Sequence, residues 1–163
     1  MILLTGILFQ SPAFGQITPV SPFSLERYLG KWYEIARLPT SFERGLSHVT
    51  ATYTLRNDGK VKVLNEGIRE NGNRSEAIGK AKFAGKPDTA HLKVSFFGPF
   101  YADYVVFELD MENYSYAMVA SSMKYLWILS RTPQLDQSIK DKLVEKARSA
   151  GFDISRLIFT TQD

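Results

Sequence analysis

The sequence predicts an all-β fold: eight antiparallel strands in up-and-down order, closed into a barrel, with one C-terminal α-helix packed on the outside. Three observations carry this. Short runs with alternating apolar residues recur from residue 30 to residue 131, split by turn signals. The period switches once to helical spacing, between residues 136 and 150. Aromatic residues make up 13% of the chain, with 11 Phe and 8 Tyr, a bias that suits half-buried pleated surfaces. Consecutive antiparallel strands with short connections remove their exposed edges by closing on themselves.

The elements follow in order. Residues 1–15 read as a signal-peptide-like segment: an apolar run from Met1 to Phe9, then Ser11-Pro12-Ala13-Phe14-Gly15 as a small-x-small cleavage site. It lacks a basic n-region and is too short to span a bilayer. Residues 16–22 form a Pro/Ser linker, and residues 23–163 the folded domain. Ser24 is placed to cap a short helical turn that ends near Leu29. Strands are expected at 30–37, 48–56, 60–67, 76–84, 90–97, 103–110, 114–121 and 125–131. Asn57-Asp58-Gly59 makes a tight hairpin turn, and Lys86-Pro87-Asp88 a second turn. Ile139, Leu143, Ala147 and Ala150 then fall on one helical face. Lys140, Lys142, Lys146 and Arg148 occupy the other faces, and Gly151 is a natural stop. A last strand is expected at about 156–161.

Composition narrows the function. The chain of 163 residues is 44% hydrophobic and 23% charged, enough for one domain with its own core. A net charge of +3 without long basic runs describes a solvated surface, not a nucleic-acid footprint. The absence of cysteine removes disulfides, thiol catalysis, thiolate zinc sites and cysteine-linked lipids from these residues. No Gly-x-Ser-x-Gly elbow, His-Glu-x-x-His helix, Walker loop or dinucleotide fingerprint occurs, so neither cofactor nor metal is expected.

Gly30-Lys31-Trp32, just after the short helical turn, resembles the Gly-x-Trp signature of the lipocalins. Arg131, closing Tyr125-Leu126-Trp127-Ile128-Leu129-Ser130-Arg131, is similar to the family's third motif. Leu109-Asp110-Met111-Glu112-Asn113-Tyr114 stands at the middle motif and departs from the usual Thr-Asp-Tyr. Four longer blocks resemble the bacterial outer-membrane lipocalins and their apolipoprotein D-like relatives. They are residues 32–37, 42–46, 94–101 and 126–133. The resemblance implies an eight-strand barrel enclosing one small ligand, a dimension for which lipocalins are themselves the known example. It implies a carrier or store of fatty acid or lysophospholipid for cell-envelope maintenance. It further implies export to the periplasm or outer membrane, although a lipid anchor needs a cysteine that this chain lacks. Peripheral membrane contact and a homodimer are left open. A fatty-acid-binding-protein barrel fits less well, because residues 38–47 are too short for the two helices it inserts.

The resemblance also sets the inward face, because the signature tryptophan points into the barrel floor. Gly30, Trp32 and Arg131 then form that floor, the guanidinium lying over the indole. Strict alternation gives the ligand-binding candidates Ala36, Tyr53, Val63, Asn65, Leu92, Val94, Phe96, Tyr104, Val106, Glu108, Val119 and Trp127. Small residues at Ala36, Ala51, Ala77, Gly79, Ala81 and Ala117 argue for a cavity over a filled core. Loops at the other end hold Arg44, Arg69, Arg74, Tyr101 and Lys124, candidates for contact with a lipid headgroup. His48 and His91 face outwards. An enzymatic alternative rests on Glu34 and Glu108 as paired inward carboxylates. The partner of Glu34 is not named by the sequence.

Overall fold

A computed structural model describes residues 17–163; the signal-peptide-like segment lies outside these described residues. Ser24 accepts from the Arg27 N–H and caps the short helix α1 (Leu25–Tyr28). Eight long strands follow: β1 (Gly30–Arg37), β2 (Ser47–Leu55), β3 (Val61–Ile68), β4 (Arg74–Phe83), β5 (His91–Phe97), β6 (Phe100–Leu109), β7 (Tyr116–Ser122) and β8 (Tyr125–Ser130). Each pairs antiparallel with the next, and β1 closes the barrel by pairing with both β2 and β8. Helix α2 (Gln137–Ser149) then packs on the outer wall, with Asp136 accepting from the Ser138 and Ile139 amides at its start. Its buried residues Leu143 and Ala147 are two of the expected apolar stripe.

The sixth strand begins three residues earlier than expected, at Phe100, and two other boundaries differ for a visible reason. The seventh strand begins at Tyr116, because Asp110 gathers the amides of Glu112, Asn113 and Ser115 into a turn. The last strand shrinks to β9 (Ile158–Phe159), after a 3₁₀ turn over Ile154–Arg156. β9 pairs with the end of β1 at Ala36 and Arg37, whereas β2 pairs only with Gly30–Tyr33. Beyond β9, the tail fills the seam where β1 and β2 part. The His48 amide donates to Thr161 O at 2.8 Å, and Gln162 Nε2 donates to Glu34 O and Val49 O.

Two apolar layers result. One lies inside the barrel around Trp32, Tyr53, Val63, Val106 and Leu129. The other lies between the outer wall and α2, around Ile35, Ala36, Met118, Ile128 and Leu143. Two β-bulges decide which residues reach which layer. In β1, Glu34 pairs with Leu129 but Ala36 pairs with the next residue, Ile128, so Ile35 is an extra residue. In β6, Val106 pairs with Val119 but Glu108 with Met118, so Phe107 is extra. Each bulge sends two consecutive side chains towards α2.

Alternation fails at those points, and two site expectations are corrected. Ala36 does not face the cavity; it is fully buried in the layer beneath α2. Glu108 does not face it either; its carboxylate forms an ion pair with Lys146 of α2. The expected inward carboxylate pair Glu34–Glu108 therefore does not exist.

Candidate functional site

The barrel is sealed at one end and open at the other. At the sealed end Trp32 is 0% exposed and its indole donates to Tyr28 O at 2.8 Å. The Arg131 guanidinium stands 3.8 Å from the indole ring centroid. It donates to four carbonyls, those of Tyr114, Lys31, Arg27 and Tyr28. Gly30 has φ +97°, and a Cβ there would meet Arg131 Nη1 at 3.4 Å, so glycine suits the approach to this cap.

Above the floor lies a cavity of about 370 Å³. Of the sequence candidates, Tyr53, Val63, Asn65, Val94, Phe96, Tyr104, Val119 and Trp127 line it. Gly79 makes room for Phe96, since a Cβ there would stand 2.8 Å from the Phe96 ring. Leu92 and Val106 do point inwards, but they are buried in the packed layer around the floor and do not line the cavity. None of the headgroup candidates lines it. Arg74 pairs with Glu66 at 2.6 Å, and Tyr101 faces the outer wall, its ring centroid 4.4 Å from Lys82 Nζ. Arg44, Arg69 and Lys124 belong to rim loops outside the wall. The two histidines pair at the surface, His48 with Asp163 and His91 with Asp103.

Alternation missed the polar cluster in the cavity wall. The β1 bulge turns Arg37 inwards beside Glu34, and Arg37 Nη1 donates to Glu34 Oε1 at 2.5 Å with both side chains buried. Thr160 also donates to Glu34 Oε1. Arg37 Nη2 donates to Glu43 O at 2.8 Å, and Trp127 Nε1 donates to Glu43 Oε1 at 2.9 Å. Loop 38–46 is thus tied to β1 and β8 from inside, while its Phe42 and Leu46 line the mouth. Glu43 Oε2 is buried without a donor, Arg37 Nε being 3.8 Å away. Burial, then the hydrogen bond and charge of Glu34, push the Glu43 carboxyl up to about 9. Burial and the neighbouring Glu34 thus favour the neutral acid at Glu43. The wall here holds one cation, one carboxylate and one neutral acid. The only sequence signal for Arg37 was its place three residues after Glu34, which strict alternation puts on the opposite face.

A lipocalin-like domain model matches residues 23–162, nearly the whole described chain. The chain belongs to the lipocalin family. This lipocalin is 55% identical over 163 residues to the outer membrane lipoprotein Blc of Vibrio cholerae, covering 99% of this chain and 94% of that one. It is 49% identical to the protein of the same name from Escherichia coli K12, over 90% and 83% of the two chains. It is 33% identical to apolipoprotein D of Mus musculus, over 86% and 77%. Among solved structures, insecticyanin of Manduca sexta superposes with a TM-score of 0.74 at 24% identity, over 91% of this chain and 85% of that one. That likeness supports the barrel fold alone.

Proposed function

We propose that this lipocalin carries or stores a fatty acid or lysophospholipid in its barrel, in support of the cell envelope, by binding rather than catalysis. The observation that carries the reading is the one-ended cavity of about 370 Å³, walled by Val63, Val94, Val119 and Leu129 and lined at the mouth by Phe42, Phe96 and Tyr125. Burying roughly ten methylenes contributes about 8 kcal/mol, and lost translational and chain freedom offsets several kcal/mol of that. Micromolar or tighter binding follows. The sealed floor requires the ligand to enter and leave by the mouth, so its charged head stays there in water.

An envelope location is consistent with the relatives named outer membrane lipoproteins. Among the described residues, no helix is long and apolar enough to cross a membrane. Phe42, Phe97 and Phe100 are 67%, 81% and 76% exposed around the mouth, which suits exchange of ligand at a lipid surface. The test is native mass spectrometry of the purified protein, followed by solvent extraction and lipid identification. One acyl lipid per chain is the expected result. A chain that arrives empty and takes up no fatty acid or lysophospholipid would overturn the proposal.

A further inference from the structure

The deep end of the cavity carries a polar feature that an acyl carrier does not require. Tyr53 sits in the floor layer, paired with Gly30 across the β1–β2 ladder, and Tyr104 pairs with Leu92. The hydroxyl of Tyr104 is 2.7 Å from that of Tyr28 and 2.7 Å from that of Tyr53. The described residues give these three oxygens no other hydrogen-bond partner. Each phenol carries one donor. Three donors share two contacts, so one O–H is always left over.

Only three arrangements exist. If Tyr28 donates to Tyr104 and Tyr104 to Tyr53, the free O–H belongs to Tyr53. If Tyr28 and Tyr53 both donate to Tyr104, it belongs to Tyr104. The reverse chain leaves it on Tyr28. Tyr53 and Tyr104 line the cavity and Tyr28 does not, so in two of the three arrangements the spare donor belongs to a residue of the cavity wall. Burial raises the pKa of all three phenols, which keeps their protons in place. The rings are held by packing, with Tyr28 and Tyr53 centroids 5.5 Å apart and Tyr53 and Tyr104 5.9 Å apart.

We propose that Tyr53 and Tyr104 form a hydrogen-bond-donor subsite at the closed end, which accepts a neutral oxygen on the leading end of the bound chain, a hydroxyl or a keto group. The proposal rests on the carrier reading and extends it to oxygenated lipids. A carboxylate does not fit there. Arg131 is beyond the Trp32 ring and bonded to four carbonyls, and Arg37 is paired with Glu34, so one phenol alone would face the desolvation of a full charge. The surrounding Val63, Val94 and Val119 offer a hydroxyl no competing partner.

The experiment compares saturated fatty acids with their ω-hydroxy counterparts of equal length, across medium and long chains. Binding is read by displacement of a fluorescent fatty acid from wild type, Tyr53→Phe and Tyr53→Phe/Tyr104→Phe. A buried hydroxyl without a partner loses about tenfold or more in affinity. Wild type is expected to bind the best-matched ω-hydroxy acid within about threefold of the plain acid. The double variant should discriminate against the hydroxyl by about tenfold relative to the plain acid measured on the same variant. Equal discrimination by wild type and variant, at every length, would overturn the subsite. If the variants do not fold, the wild-type ratio decides: a tenfold penalty at every length also overturns it. Failure of both series to bind wild type overturns the carrier reading itself, and the subsite with it.

Discussion

The two ends of the barrel use aromatic residues in opposite ways. At the floor, Trp32 is fully buried and Arg131 covers it while donating to four backbone carbonyls. At the mouth, Phe42, Phe97 and Phe100 are largely exposed and nothing among the described residues covers them. The floor is built for stability, because a buried indole and a satisfied guanidinium both lose if disturbed. The mouth is built for access. Between them, Glu34, Arg37 and Glu43 fix loop 38–46 from inside, so the rim keeps its position while its outer surface stays uncovered.

Four variants test that contrast. Arg37→Ala should have the largest effect, because it leaves Glu34 buried without its partner. Loss of about 3–5 kcal/mol is expected in urea unfolding, and a loss under about 1 kcal/mol would show that the cluster is not a structural element. Arg131→Ala removes the cation from the indole and takes one donor from each of four carbonyls, of which Tyr28 O keeps the Trp32 indole. About 2 kcal/mol is expected from the same measurement, with ligand binding at the mouth retained.

Glu43→Gln tests the proton in the wall. Glu43 has its folded pKa raised above the ordinary value of 4.5, so the native state holds a proton that the unfolded chain has lost. That contribution to stability is fully present below about pH 4.5 and is lost as pH rises towards about 9. Thermal melts of wild type should therefore fall across that window more steeply than those of Glu43→Gln, which keeps a neutral side chain throughout. Parallel slopes would place the proton elsewhere. The smallest effect on stability is expected for Phe97→Ser with Phe100→Ser, within about 0.5 kcal/mol for each site. Their signature is a different one, weaker co-sedimentation with lipid vesicles, and unchanged co-sedimentation would remove the mouth from membrane exchange.

Much of the fold was legible in the sequence because it rests on local signals. Asn57-Asp58-Gly59, the Ser24 cap and the apolar spacing of Leu143 and Ala147 each announce one element without knowledge of its neighbours. The facing of side chains was legible only as far as strict alternation holds. It places Tyr53, Val63, Asn65, Val94, Val119 and Trp127 at the cavity. It fails after Ile35 and after Phe107, where an extra residue shifts the strand. Both bulges lie beneath α2, and both supply it with consecutive outward side chains, Ile35 with Ala36 and Phe107 with Glu108. The helix is a tertiary reason for a local irregularity, and no window of a few residues contains it. The same shift hid the partner of Glu34, since Arg37 reaches the interior only because of the bulge.

The central claim is that the cavity above Trp32 is the lipid site, and its two tryptophans offer the direct measurement. Trp127 lines the cavity and Trp32 is sealed below it. Delipidated protein should be titrated with a lysophospholipid while tryptophan emission is followed, in wild type and in Ala77→Trp, which fills the cavity from a small lining residue. Wild type is expected to saturate at one ligand per chain with micromolar or tighter affinity, and the filled variant to remain folded and lose about tenfold or more. Saturable binding of equal strength in both proteins would contradict the account, because the lipid would then be held somewhere other than the barrel.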